Sequence, residues 1–286
     1  MFEGFELAMM DIGEATLRVR SGGSGPPLLL LHGHPQTHMM WHRVAPDLAR
    51  HFTVVCPDLR GYGDSVGPPT TPDHEPYSKR ALARDAVALM GRFGFERFAV
   101  AGHDRGGRVA YRLALDHPGR VSKLAVLDII PTSEVWRRVD MALGMAYWHW
   151  FFLAQPEPLP ERMIGENPEN YYFRAEREHF DPAALADYLR CVRRPEVIHA
   201  MCEDYRAGAT FDLALDEADR GRRLACPVLT LWSGRNELWK AHDVLAIWRG
   251  WADSVQGRAV DAGHYLAEEA TDEVFADLRN FFTSDG

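Results

Sequence analysis

Three groups able to move protons or attack carbon stand at the ends of apolar runs: Asp104 in "AVAGHDRGGRVA" (99–110), Asp128 in "VLDIIP" (126–131) and His264 in "DAGHYLAEE" (261–269). The first stretch passes from a strand-like segment through a glycine-flanked corner into a helix-like one. Gly102, His103, Asp104, Arg105 and Gly106 fit the pattern G-x-S-x-G, in which small residues permit a strained elbow, with aspartate in the serine's place. That exchange changes the chemistry. A serine attacking saturated carbon would leave an ether, which an activated water does not readily cleave; an aspartate leaves an ester. Asp104 is thus suited to displace a leaving group from carbon, and His264 to deprotonate the water that then hydrolyses the ester. Asp128 would orient the imidazole and stabilise its protonated form. Glu237 in "RNEL" is the competing acid.

Arg105 and Arg108 lie three residues apart at the start of the helix-like stretch, on one face. Cations at a helix N-terminus oppose the backbone dipole, so an anion should compensate them. Asp104 does part of this, and the planar forks are suited to hold a substrate carboxylate bidentately beside the nucleophile. Charge developing on the ester carbonyl oxygen calls for backbone donors, for which the N–H groups of Arg105 and His34 are placed.

The elements that must hold these groups are short Val- and Leu-rich runs at 17–20, 27–33, 53–59, 97–104, 123–129, 227–234 and 255–263. They read as strands buried on both faces. Helix-like stretches lie between them at 78–94, 108–118, 241–252 and 268–282, an alternation that predicts an α/β fold with a mainly parallel sheet. The alternation lapses between "LDIIP" and "CPVLTLW", where some 80 residues rich in aromatics, Met and His read as an inserted helical cap. This divides the chain into a core of 1–132 and 213–286 and a cap of 133–212. Residues 134–156 read as one helix, ended by the prolines at 156, 158 and 160.

Composition sets the outer limits. A formal charge of −9, with 46% apolar and 26% charged residues, argues against nucleic acid or an anionic membrane as partner. The four cysteines form no CxxC pair and have no zinc-type spacing, so no metal, cofactor or disulfide framework is expected. The first twenty residues are acidic and lack a long apolar run, and no stretch reaches membrane-spanning length, which together predict a cytoplasmic protein.

The elbow, the loop "HGHP" (32–35) and the order aspartate, acid, histidine resemble the α/β-hydrolase superfamily across nearly the full chain. An aspartate nucleophile in that superfamily implies hydrolysis of an alkyl halide or an epoxide. "GHDRGGR" with its arginine pair resembles more narrowly the haloacetate dehalogenases, in particular the fluoroacetate dehalogenase group. That resemblance implies conversion of a haloacetate to glycolate and halide by a homodimer, and it implies a halide pocket of His149 and Trp150 in "YWHW" and Tyr205 in "MCEDYRAG". A departing fluoride, small and hard, needs such compact donors. His34 departs from the group, where Phe is expected, and brings a titratable ring to the site. An epoxide hydrolase using cap tyrosines is the alternative, and a non-catalytic receptor for small acids a remote one. Halide release separates both from the dehalogenase.

Overall fold

The structure is a computed structural model and describes residues 1–174 and 177–284. Eight strands, β1 (Phe5–Asp11), β2 (Thr16–Gly22), β3 (Pro27–Leu31), β4 (Thr53–Pro57), β5 (Phe98–His103), β6 (Val121–Leu127), β7 (Val228–Ser233) and β8 (Val255–Val260), form one sheet. Its order is β1-β2-β4-β3-β5-β6-β7-β8. β1 and β2 run antiparallel at one edge, and from β4 to β8 all pairs are parallel. The seven expected runs all form strands. β1 was not expected: "FELAMMD" is largely exposed, so burial leaves no mark on its composition, and it is held by a hairpin at Gly13 (φ 98°).

The central strands carry continuous apolar side chains because helices cover both faces: β5 is buried throughout and β3 nearly so. The helices Lys79–Arg92 and Arg105–Asp116 pack against each other, and the second lies on β5 and β6. Its start is three residues earlier than the apolar pattern suggests, immediately after Asp104. The three loops that carry Asp104, Asp128 and His264 therefore leave the carboxyl ends of the parallel strands β5, β6 and β8, where open α/β sheets place their ligands.

Between β6 and β7 the described residues are helical or loop. Residues 134–156 are not one helix but parts of three: Thr132–Trp136, Met141–Ala146 and Trp148–Leu153. The reason is local. The Asp140 side chain accepts the Leu143 N–H and starts a new helix, and Tyr147 (φ −104°, ψ 31°) leaves helical geometry before the next begins. These bends turn Tyr147 and His149 onto one cavity while Trp150 is buried beneath them. All four cysteines are buried free thiols. Among the described residues no helix is long and apolar enough to cross a membrane.

Candidate active site

Asp104 occupies the elbow with φ 46° and ψ −116°, a conformation a non-glycine residue holds only when its surroundings impose it. Glycines make those surroundings possible. A Cβ on Gly102 would lie 2.3 Å from the Gly106 carbonyl oxygen, and one on Gly106 would lie 2.3 Å from that of His32. The Asp104 N–H donates to the Leu127 carbonyl at 3.1 Å, which fastens the corner to β6. Its Oδ1 accepts the backbone N–H of His34 at 2.9 Å, so one of the two expected oxyanion donors lies against the carboxylate.

His264 Nδ1 lies 2.6 Å from Asp128 Oδ2, and its Nε2 lies 4.0 Å from Asp104 Oδ2. Asp128 follows β6 with φ 55°, a second aspartate held in the left-handed region. Its other oxygen accepts from the Ser233 N–H at 2.8 Å and from Trp239 Nε1 at 2.7 Å, so among the described residues the partners of the carboxylate are donors. Trp239 escaped the sequence reading, because nothing in "RNELWK" marks an indole that reaches back to the preceding strand. The side chain of Glu237 lies outside the described residues. Asn236 lines the cavity and hydrogen-bonds Tyr147, tying the loop after β7 to the helical insert. His103 Nε2 lies 2.8 Å from the His264 carbonyl oxygen, and the two rings are 4.6 Å apart.

Burial alone would raise the Asp104 carboxyl, but His264, His103, Arg105 and Arg108 outweigh it and hold the group well below the usual carboxylate range. Asp104 is therefore ionised at neutral pH. Burial holds His149 down at about 4 and His34 at about 3, so both rings are neutral there.

Arg105 and Arg108 converge on one indole: their guanidinium carbons lie 5.6 and 4.5 Å from the Trp150 ring centroid. The anion that the reversed helix dipole called for is partly internal. Arg105 donates through Nε to Asp204 Oδ2 at 2.5 Å and through Nη2 to the Asp204 carbonyl at 2.6 Å. Buried Lys79 and the Tyr62 hydroxyl also bond Asp204. Despite burial, Arg105 and Lys79 pull that carboxyl down to about 2. Arg108 donates through Nη1 to the Ile130 carbonyl and to Thr132 Oγ1, both at 3.1 Å. Among the described residues, Nη1 of Arg105 and both Nε and Nη2 of Arg108 have no hydrogen-bond partner. The close packing needs Gly208, where a Cβ would come within 2.9 Å of Arg105 Nη2. Asp204, one residue before Tyr205, was not recognised from sequence. Its partner is 99 positions away, and a helical "EDYR" reads as solvated surface.

The cavity beside Asp104 and His264 encloses about 330 Å³ and is lined further by His34, Tyr147, His149 and Tyr205. Trp150 and the arginines form the buried layer next to this lining. The Tyr205 ring packs edge-on to those of His34, His149 and Trp150. Among the described residues no group of three or more His, Cys, Asp or Glu side chains is placed to hold a metal ion.

Residues 26–271 match the α/β hydrolase fold family. A fluoroacetate dehalogenase of Burkholderia sp. is 45% identical over 99% of this chain and 95% of its own. A soluble epoxide hydrolase of Corynebacterium sp. (strain C12) is 32% identical over 92% of each chain. The crystal structure of ALR0039 from Nostoc sp. PCC 7120 superposes with a TM-score of 0.98 at 52% identity, covering all of both chains.

Proposed function

Because this chain belongs to the α/β-hydrolase fold family and, within it, to the haloacetate dehalogenase group, we propose that it hydrolyses a haloacetate, fluoroacetate included, to glycolate and halide. The observation that carries the reading is an ionised aspartate at the elbow, next to two buried guanidiniums that each keep at least one terminal nitrogen uncommitted. Those nitrogens hold the substrate carboxylate, and its α-carbon then faces Asp104. Oδ2 of Asp104 attacks that carbon in line, and the halide leaves toward His149, Trp150 and Tyr205. His264 deprotonates a water that adds to the ester carbonyl, whose oxygen is met by the His34 N–H and the first amide of the helix at Arg105. Asp128 stabilises the imidazolium. The helical insert, residues 133–212, acts as the cap that excludes bulk water during displacement.

Ion-selective measurement of fluoride, chloride and bromide release from the three haloacetates tests this. The wild-type protein is expected to release halide, and Arg108→Leu to lower kcat/KM by about ten- to a hundredfold, the worth of one charge-assisted hydrogen bond. An unchanged value in both Arg105→Leu and Arg108→Leu removes the carboxylate clamp.

A neutral epoxide is the second reading, favoured by the tyrosines at 147 and 205 on the cavity wall. It leaves the two arginine nitrogens without an anion. The resemblance also carries a homodimer in the cytoplasm, and the strongly exposed Met141, Met145 and Met163 suit an interface between copies. Light scattering at twice the chain mass supports that assembly, and a monomer refutes it.

A further inference from the structure

Tyr205 is equipped for more than holding a halide. Its ring lies between those of His34 and His149, at 5.1 and 5.9 Å, and the Arg105 guanidinium stands 4.1 Å from its centroid. Among the described residues its side chain is held by ring and cation contacts and by no hydrogen bond, and the residue lines the cavity. Burial keeps the phenol protonated, and the two neighbouring imidazoles are neutral, so neither competes as an acid. A halide ion is a weak base and needs only hydrogen bonds as it departs. A proton-bearing phenol beneath a fixed cation offers a complete proton transfer, because the guanidinium stabilises the phenolate as it forms. There is also room to spare. At the ~30 Å³ per heavy atom of liquid water, a haloacetate fills less than half of the cavity.

We propose that the same site hydrolyses α,β-epoxy carboxylates, of which oxirane-2-carboxylate is the smallest, to vicinal dihydroxy acids, with Tyr205 as the proton donor to the ring oxygen. The inference rests on the haloacetate reading, from which it takes the nucleophile and the arginine clamp. Asp104 Oδ2 bonds to the ring carbon bearing the carboxylate, and the bond from that carbon to the ring oxygen breaks. The electron pair stays on the oxygen, which takes the Tyr205 proton. The result is a β-hydroxy ester of Asp104 and a Tyr205 phenolate. Water gives a proton to His264 and adds as hydroxide to the ester carbonyl; the bond to the alkyl oxygen breaks, and that oxygen leaves protonated. Hydrolysis regenerates the Asp104 carboxylate and releases one net proton, which restores Tyr205. Epoxy acid plus water gives dihydroxy acid, with no oxidant or reductant.

The test follows three compounds by NMR with the purified protein: oxirane-2-carboxylate, neutral propylene oxide and bromoacetate. The dihydroxy acid is expected, with kcat/KM at least about a hundredfold above the neutral epoxide, as charge-assisted bonds to two guanidiniums require. Tyr205→Phe should lower epoxy-acid turnover by about a hundredfold or more, the ordinary worth of a general acid, and by at least about tenfold more than it lowers bromide release, which loses only a hydrogen bond to the departing ion. Bromide release without any dihydroxy acid overturns this inference and leaves the haloacetate reading standing. Neither product overturns both. Equal use of the neutral epoxide overturns the clamp as the basis of the second activity, and equal losses on both substrates in Tyr205→Phe overturn the proton-donor role.

Discussion

Asp104 has one carboxylate oxygen committed to the His34 N–H, while the other stands 4.0 Å from His264 Nε2, beyond hydrogen-bond reach. This division suits a residue that is first a nucleophile and then an acyl group: Oδ1 is already in place when charge develops on it, and Oδ2 is unblocked. Removing the base should separate the two steps. In His264→Asn the ester is expected to form and persist, visible by intact mass as an increment equal to the substrate remainder on the peptide containing Asp104. Bound substrate with no such increment refutes the covalent scheme. The grouping of Asp104, Asp128 and His264 was legible because each ends an apolar run, and that position requires no knowledge of packing. Trp239 and Asp204 were not, since their partners are set by how distant segments come together.

The same lesson holds for the elements. The buried strands announce themselves by continuous apolar runs, whereas edge strand β1 and the breaks in the 134–156 segment depend on a hairpin and on one capping aspartate. Asp204 joins elements that the sequence keeps apart: helix Pro195–Ala209 in the insert, helix Arg105–Asp116 after the elbow and helix Lys79–Arg92. Asp204 and Arg105 are both about 1% exposed, so removing one partner strands the other in a low-dielectric interior. Asp204→Asn is accordingly expected to lose about 3–5 kcal/mol of stability in equilibrium denaturation. A loss within ~0.5 kcal/mol, the range of an ordinary surface change, contradicts this account of the network.

Across the whole molecule, Glu268 links three regions at once. Its side chain accepts from Gln36 of the loop after β3 and from Tyr188 of the insert, while it sits in the helix Leu266–Glu269 just beyond His264. Burial raises its carboxyl from 4.5 to about 8. The folded state therefore binds a proton that the unfolded chain has lost, so the contribution to stability is whole below pH ~4.5 and disappears as pH rises through about 8. The buried imidazoles of His34, His103 and His149 have folded values of about 3 to 4 and act only below their unfolded value of 6.5, so they are silent on the alkaline side. Melting temperature should thus fall between pH 7 and 8 in the wild type, below the range where the four buried thiols ionise in the unfolded chain, and fall much less in Glu268→Gln; parallel curves refute the assignment. A last consequence concerns how such a protein can diverge. The segment that follows β7 divides its duties: the Trp239 indole braces Asp128, whereas the Asn236 side chain reaches the cavity and Tyr147. Descendants of this gene that keep the indole at 239 are free to rewrite position 236 and so drift toward new substrates while Asp128 and His264 hold their places.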